Sequence, residues 1–320
     1  MSDTILKIEK LTKRFSKRIL AVDELDLEIT RGQVFGLLGP NGSGKTTTLG
    51  MILGVVSSTK GSYSWFGKGD DYRLRKNIGA ILEQPNFYPF LSARQNLVVH
   101  SRIKDVGKPD LDGLLRMVGL LDRSDDPFRT YSLGMKQRLA IASAMMADPE
   151  VLIFDEPTNG LDPLGIAEIR QLILDIRDMD KTILIASHLL DEVQKVCSHF
   201  AVLRMGKKIY SGGVQEALQA TNTIAIGSDN RDLLKNVLSG CPGILHVEEH
   251  PDFVHVDVSN EWTAASLNTY LVEHRVAVNF LQQKKSSLEE KFLEILRENE
   301  PVPPQGKLNE RPENHRTRIL

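Results

Sequence analysis

The spacing of apolar residues along the chain predicts a succession of strands and helices. Apolar and polar residues alternate at residues 5–9 and 22–29, as in half-buried strands, whereas residues 34–38, 151–154 and 182–186 are almost continuously apolar. Continuous apolar runs of this length are typical of strands that are buried on both faces of a parallel sheet. The pattern therefore predicts an α/β fold in the larger part of the chain.

Weaker signals place the other elements of this part. Ser92, followed three residues later by Gln95, resembles a capping box, and Gly119 ends a helical stretch. Helical periodicity predicts helices at residues 96–103, 110–118, 139–146, 164–177 and 189–196. Further strands are predicted at residues 61–67, 78–82, 200–204 and 208–211.

A separate unit is predicted after residue 220. Strands are expected at residues 223–227, 244–248, 253–258 and 276–281, and helices at residues 231–238, 262–273 and 287–296. Their order, β-α-β-β-α-β, matches a ferredoxin-like split unit. His246, His250 and His255 lie in this unit, but their irregular spacing favours exposed strand histidines over a metal site.

The end of the chain, residues 299–320, is predicted to be a disordered polar tail. Its four prolines, Pro301, Pro303, Pro304 and Pro312, lie among charged and polar residues. Such a segment buries too little apolar area to offset its chain entropy.

Composition favours a soluble globular protein of about two domains. The chain has 320 residues, 41% of them hydrophobic, and its 40 Lys and Arg are balanced by 42 Asp and Glu, so no basic field suited to nucleic acid is expected. Cys197 and Cys241 lie far apart, which favours reduced thiols in a cytosolic protein. No targeting segment is evident, and no apolar run approaches the roughly 18 residues of a membrane span.

The main chemical signal is Gly-Pro-Asn-Gly-Ser-Gly-Lys-Thr at residues 39–46, which matches the P-loop. Glycines let the backbone turn so that successive N–H groups point at a phosphate. Lys45 can reach the β and γ phosphates, and the Thr46 hydroxyl can ligate Mg²⁺. A predicted strand before the loop and a predicted helix after it favour this interpretation over an ordinary glycine-rich turn.

Polar residues at predicted strand ends supply further candidates. Asp155 and Glu156 follow a buried strand, where one carboxylate can hold Mg²⁺ and the other can polarise an attacking water. Gln84 can ligate Mg²⁺ or orient water, and His188 can contact a γ phosphate. Taken alone, however, Gln84 is more typical of a surface residue and His188 of a structural one.

Two residues outside the strand ends are also candidates. Phe15, in a polar stretch, can stack on an adenine ring or can be a peripheral core residue, and spacing alone does not separate the two. Ser132 is placed to cap a helix whose N-terminus can bind an anion.

In order and approximate spacing, these motifs resemble those of an ABC transporter ATPase over about residues 5–220. The P-loop corresponds to Walker A, Gln84 to the Q-loop, residues 151–156 to Walker B, residues 159–162 to the D-loop and His188 to the H-loop. The family signature is commonly Leu-Ser-Gly-Gly-Gln, whereas this chain has Tyr-Ser-Leu-Gly-Met at residues 131–135. That variant is similar to the signature of bacitracin, lantibiotic and multidrug exporters.

The resemblance implies roles for individual residues. It implies catalytic roles for Lys45, Gln84, Glu156 and His188, with Glu156 as general base, and metal ligation by Thr46, Gln84 and Asp155. It implies nucleotide contacts for Phe15, Gly39, Pro40, Asn41, Gly42, Ser43, Gly44, Lys45, Thr46, Thr47, Ser132, Gly134 and Asp162. Ser132 and Gly134 would close over the nucleotide of a second subunit.

The predicted organisation is an ABC ATPase domain with a P-loop core and an antiparallel β subdomain at residues 1–220, its helical subdomain at about 86–148, and an accessory α+β domain at 221–298. We expect the accessory domain to make dimer contacts or to regulate the ATPase. The resemblance implies an ATP-hydrolysing subunit with ATP and Mg²⁺ as cofactors. Its expected partners are an identical or paralogous ATPase subunit and an integral permease that docks near residues 84–91.

The resemblance also implies a peripheral position on the cytoplasmic side of the cell membrane and a role in export, with no nucleic-acid partner. One alternative is a soluble ABC ATPase that acts on the ribosome or DNA. Such proteins usually carry two cassettes or a coiled-coil insert, and neither is evident here. The other is a regulator that binds ATP without hydrolysing it, against which the presence of Glu156 and His188 argues.

Overall fold

A computed structural model describes residues 3–69, 71–219, 222–259, 261–284 and 288–298 of the chain. The strands are β1 (Thr4–Arg14), β2 (Leu20–Thr30), β3 (Val34–Leu38), β4 (Lys60–Trp65), β5 (Ile78–Ile81), β6 (Val151–Asp155), β7 (Thr182–Ser187), β8 (His199–Arg204), β9 (Lys207–Gly213), β10 (Asn222–Gly227), β11 (Ile244–Glu249), β12 (Val254–Val258) and β13 (Phe280–Lys284). The α-helices are α1 (Lys45–Ile52), α2 (Ala93–Ile103), α3 (Leu111–Met117), α4 (Leu133–Met145), α5 (Pro163–Arg177), α6 (Leu190–Val196), α7 (Val214–Gln219), α8 (Arg231–Ser239), α9 (Ala264–Glu273) and α10 (Leu288–Glu298). The predicted tail lies outside the described residues.

The central sheet has six strands in the order β5-β6-β7-β3-β8-β9. All neighbours are parallel except β9, which is antiparallel to β8 at one edge. β3, β6 and β7 are buried at every residue, as their continuous apolar runs predict. Because these three strands are parallel neighbours, their carboxyl ends meet at one edge of the sheet.

Each face of the central sheet has its own hydrophobic core. Side chains alternate across a strand, so that Leu37 of β3 packs with α1 and with the antiparallel sheet β2-β1-β4. Leu38 faces the other way and packs with helices α2 to α6. The α/β class predicted from the sequence is therefore confirmed.

The C-terminal unit is built on a four-stranded antiparallel sheet in the order β11-β12-β10-β13. Helices α8 and α9 cover one face, and Leu234, Val256 and Leu267 belong to a third core between them and the sheet. This strand order confirms the predicted ferredoxin-like arrangement.

Two elements of the C-terminal unit begin two or more residues later than predicted. The predicted helix at residues 262–273 begins at Ala264, because the Thr263 hydroxyl accepts a hydrogen bond from the Ser266 N–H at 3.1 Å and caps the helix. The strand predicted at residues 276–281 begins at Phe280, because Val276 instead closes α9. Its N–H donates to the Leu271 carbonyl at 2.9 Å, and its buried side chain packs in the core, as after many helix ends.

The last helix, α10, packs on the larger part of the chain, against α6 and α7. Leu288 is fully buried there and Phe292 is half-buried. The Leu288 N–H donates to Gln194 Oε1 at 2.8 Å, and Arg204 Nη1 donates to the Leu296 carbonyl at 2.9 Å. The C-terminal segment therefore ends on the core that surrounds the central sheet.

Candidate active site

The glycine-rich loop at residues 39–46 leads from β3 into α1. Gly39 and Gly44 have positive φ angles of 154° and 107°. A Cβ atom at Gly39 would lie 2.4 Å from the Leu203 carbonyl oxygen, and one at Gly44 would lie 2.5 Å from the Ala21 carbonyl oxygen. The turn therefore requires glycine at both positions, for its backbone angles and for the space.

Lys45 joins this loop to the end of β6. Its side chain is only 6% exposed, and Nζ donates hydrogen bonds to the carbonyl oxygens of Gly39 at 2.7 Å and Pro40 at 3.4 Å. Nζ also lies 3.3 Å from Oε1 of Glu156. Because the ammonium group is buried, this attraction is weakened less by water than it would be at the surface.

Asp155, the last residue of β6, is only 4% exposed. Burial raises the pKa of its carboxyl group, a hydrogen bond with Thr46 opposes this rise, and the negative charge of Glu156 adds to it. Oδ1 of Asp155 has no hydrogen-bond partner among the described residues. A buried carboxylate oxygen beside a threonine hydroxyl is a suitable pair of ligands for Mg²⁺, which prefers oxygen.

Glu156 lies at the centre of the site and has an unusual backbone conformation. Its φ angle is +48°, in the left-handed region that non-glycine residues rarely adopt and that is frequent at functional sites. The Glu156 N–H donates to the Ala186 carbonyl at 2.9 Å. Oε2 lies 2.8 Å from Nδ1 of His188, which follows β7. One carboxylate group therefore contacts both Lys45 and His188.

The loop opens onto a cleft of about 420 Å³, within the usual range for small-molecule sites. The predicted residues that line it are Phe15, Asn41, Gly42, Ser43, Gly44, Lys45, Thr46, Thr47 and Glu156. Phe15 is 56% exposed, and Lys13 Nζ lies 4.9 Å from the centre of its ring. This exposure excludes the peripheral core position and leaves a ring face available to a planar group.

Gln84 lies outside this cleft, on the exposed segment after β5. No hydrogen bond joins it to the described residues of the site. The preceding residue, Glu83, has a φ angle of +61°, and its charge raises the pKa of Asp155 as a minor cause. The contact of Gln84 with a metal therefore stays a prediction.

Ser132, Gly134 and Asp162 form a second surface and do not line the cleft of their own chain. Ser132 Oγ accepts a hydrogen bond from the Met135 N–H at 3.3 Å and caps α4, and Asp162 Oδ1 accepts one from the Gly165 N–H at 3.0 Å and caps α5. The two helix starts are close, because a Cβ at Gly134 would lie 4.0 Å from Leu161. The α4 N-terminus, capped by a neutral hydroxyl, can attract an anion, whereas the Asp162 carboxylate already supplies negative charge at the start of α5.

Sequence reasoning missed part of the cleft wall. Ile19, Leu20 and Ala21 also line the cleft, at the start of β2. Ile19 is 56% exposed although apolar, and its position four residues after Phe15 is the signal that could have paired them. The left-handed backbone of Glu156 has no comparable signal in the sequence.

Comparisons with known proteins agree with this geometry. The sequence profile described as "ABC transporter" matches residues 22–159. The uncharacterized ABC transporter ATP-binding protein YhcH of Bacillus subtilis is 37% identical over 91% of this chain and 96% of its own length. The bacitracin transport ATP-binding protein BcrA of Bacillus licheniformis is 35% identical over 92% of this chain and 97% of its own length.

A solved structure shows the same fold. It is cbiO1 from Clostridium perfringens, described as part of the ABC transporter complex cbiONQ. It superimposes with a TM-score of 0.62 at 29% identity, over 75% of this chain and 97% of its own. Among the residues described here, every helix is too short or too polar to cross a lipid bilayer.

Proposed function

The chain belongs to the ABC transporter family as an ATP-binding subunit with ATPase activity, and from this premise we propose how its site works and what it drives. In our proposal the subunit pairs with a second ATPase subunit and powers a separate membrane permease that exports its cargo. The name of the Bacillus licheniformis relative supports a cargo of the bacitracin type.

The chemistry proposed is hydrolysis of the γ-phosphate bond of ATP. Mg²⁺, when held by Thr46 and Asp155 with Gln84 as a further ligand, would supply positive charge to the phosphate oxygens. The N–H groups of the loop and Lys45 Nζ stabilise the charge that develops on the β and γ phosphates. Lys45 already lies at the loop, where Nζ would exchange its contacts with the Gly39 and Pro40 carbonyls and with Glu156 for phosphate oxygens.

Glu156 is proposed as the general base that accepts the proton of the attacking water. Its 2.8 Å contact with Nδ1 of His188 supports this role, because the imidazole restricts the orientation of the carboxylate. His188 is further proposed to contact the γ phosphate once ATP is bound. Phe15, exposed at the mouth of the cleft, is proposed to stack on the adenine ring.

Pairing of two subunits is supported by the position of the signature segment. Ser132 and Gly134 lie at a helix N-terminus that can bind phosphate, yet they do not line the cleft of their own chain. We infer that they close over the nucleotide of the other subunit, and that Asp162 contacts the same interface.

The permease is proposed to dock on the segment at residues 84–91. Phe90 is 79% exposed and Tyr88 is 56% exposed, which is unusual for large apolar side chains in one short segment. The Arg129 guanidinium lies 5.9 Å from the Phe90 ring centre and adds a positive charge beside it. Docking to a permease would hold the subunit at the cytoplasmic side of the membrane.

The observation that carries the proposal is that Lys45 and His188, which are remote in the sequence, both contact the carboxylate of Glu156. Glu156→Gln should therefore keep ATP binding, lower turnover by about 10²–10⁴-fold and accumulate an ATP-bound dimer. Phosphate release and size-exclusion chromatography measure the two effects.

Ser132→Arg in the Glu156→Gln background is the matched control, because it should return the protein to a monomer that still binds ATP. Near-normal turnover in Glu156→Gln would remove this residue as base. A dimer that persists in the double variant would refute pairing through Ser132. Purification from membranes, with identification of the bound integral protein, tests the permease partner.

A further inference from the structure

The open face of the C-terminal sheet carries a cluster of side chains of the types that bind metals, and none of them lines the nucleotide cleft. Glu248 on β11 is directly opposite His255 on β12, and His250 lies in the turn that joins the two strands. One ligand atom from each of the three residues lies within 4.8 Å of the other two. Glu248 Oε2 and His250 Nε2 are 3.7 Å apart.

The register of β12 places His255 on this open face. Val254, Val256 and Val258 are buried in the core beneath α8 and α9. Because side chains alternate across a strand, His255 projects from the opposite face, towards Glu248. The cluster therefore depends on the same pairing that forms the core.

His250 is held in place before any ligand binds. Its N–H donates to the Phe253 carbonyl at 3.0 Å, and its own carbonyl accepts a hydrogen bond from Arg231 Nη2 at 2.8 Å. Its ring stacks on Phe253 with centres 5.0 Å apart, and it lies in a T-shaped arrangement with the His255 ring, with centres 4.3 Å apart. The following residue, Pro251, further restricts the turn.

The imidazole of His250 has an unmet bonding requirement. Its Nε2 atom is buried and has no hydrogen-bond partner among the described residues. A buried polar atom without a partner costs free energy unless a ligand satisfies it. The nearest acidic oxygen, on Glu248, is beyond hydrogen-bond distance at 3.7 Å.

We propose that Glu248, His250 and His255 bind one divalent transition-metal ion, with Zn²⁺ as the representative member of the class. Two imidazole nitrogens and one carboxylate favour zinc or a neighbouring first-row metal over Ca²⁺ and Mg²⁺, which prefer oxygen ligands. In a tetrahedral zinc site with bonds of about 2.0–2.1 Å, ligand atoms lie about 3.3–3.5 Å apart. The three atoms lie within 4.8 Å of one another, so they would have to approach by up to about 1.5 Å when the ion binds.

The bound ion would connect the edge strand β11 to β12 through its three ligands. Three protein ligands leave a fourth position, which water or another donor can occupy. Since metal binding stabilises the arrangement that forms the site, it would fix the register of the β11–β12 hairpin. The site is independent of the proposed ATPase mechanism.

The test is Zn²⁺ binding to the full chain, measured by competition with a chromophoric chelator. His250→Gln and His255→Gln should each weaken binding by at least about tenfold, because changes even to residues that only support a metal ligand cost about 10–100-fold. His246→Gln is the matched control, since His246 lies on β11 but outside the cluster, and its affinity should equal that of the wild type. Circular dichroism checks that each variant is folded.

The side-chain ¹H–¹⁵N signals of histidine give a second readout. On addition of Zn²⁺ the signals of His250 and His255 should shift, whereas that of His246 should not. Equal affinities in the wild type and in His250→Gln would overturn the proposal. A shift confined to other histidines would overturn it as well. ATP hydrolysis should be unchanged in His250→Gln, so failure of this proposal and failure of the ATPase proposal are distinguishable.

Discussion

The nucleotide cleft and the open face of the C-terminal sheet gather polar side chains in two different ways. At the cleft, the residues follow the ends of parallel neighbours, so Lys45, Glu156 and His188 come from three distant segments. On the C-terminal face, Glu248, His250 and His255 come from one antiparallel hairpin. A parallel sheet thus assembles a site from remote loops, whereas a hairpin assembles one from neighbours in the chain.

The two regions also differ in what supports them. The cleft lies above two cores that cover both faces of the central sheet, and the hairpin site lies on a sheet whose other face has a core of its own. If the cores are independent, damage to one should leave the function of the other region intact.

Leu267→Ala should produce the largest effect. Leu267 is fully buried in the C-terminal core, and removal of a buried leucine side chain costs about 2–5 kcal/mol. Hydrogen exchange should show faster opening of β10 to β13, with a nearly unchanged ATPase rate. Leu115 is equally buried, in the core that the helices form with the central sheet, and Leu115→Ala is the control. Unlike Leu267→Ala, it should lower both stability and ATPase activity. Loss of ATPase activity in Leu267→Ala would show that the regions are coupled.

Gly44→Ala is the reverse test, because it should damage the nucleotide cleft and leave the hairpin site intact. A Cβ there would clash with the Ala21 carbonyl at a φ angle of 107°, and strain of about 1–3 kcal/mol plus this clash should weaken ATP binding by about 10²-fold. A fluorescent ATP analogue measures the affinity. Gly42→Ala, also at positive φ but with open space, should lose less. Zn²⁺ binding should be unchanged in both variants.

Phe15→Ala should have a smaller effect on the cleft. Stacking of a base on an aromatic ring contributes about 1–3 kcal/mol, so the KM for ATP should rise by roughly tenfold with little change in kcat. Ile19→Ala, at the same wall, is the control for lost apolar area. Equal effects in the two variants would argue against stacking.

The smallest of these effects is expected for the Tm of Asp155→Asn. In the absence of ATP and metal, its Tm should be higher than that of the wild type at neutral pH. Burial raises the pKa of Asp155, so the folded chain binds this proton more tightly than the unfolded chain does. Stability from this group is therefore greatest at acid pH and is lost as the pH rises from the unfolded value through the higher folded value. Calorimetry over a pH series should show a flatter Tm profile in the variant.

Asp178→Asn is the control for this measurement, because Asp178 is exposed at the end of α5. Its Tm profile should follow that of the wild type. If the Tm profile of Asp155→Asn also followed that of the wild type, burial of the ionised Asp155 would not be costly. Mg²⁺-dependent hydrolysis should nevertheless fall in Asp155→Asn, because a ligand charge is lost.

The sequence predicts the cleft better than the hairpin, and the reason is physical. A strand buried on both faces must be continuously apolar, so β3 was predicted with the bounds that the structure has. The loop after it needs glycines and a lysine at fixed spacing, which makes Lys45 and Thr46 recognisable. Parallel order then places the ends of β6 and β7 beside them.

The hairpin cluster could not be predicted because it depends on register. The pairing is regular from the turn back to His246, with Glu249 opposite Val254 and Glu248 opposite His255, and it shifts only beyond His246. The irregular spacing of the three histidines along the chain favours exposed strand histidines over a metal site. The structure instead brings two of them to a glutamate and leaves His246 outside the cluster.

The path of α10 has a consequence for shortened forms of the protein. Leu288 and Phe292 cover apolar side chains on α6 and α7, and α6 begins two residues after His188. A polypeptide that stops before Leu288 would keep every residue proposed to contact nucleotide, but it would expose an apolar patch to water, which favours aggregation. Helix α10 therefore protects an apolar surface of the ATPase core from water.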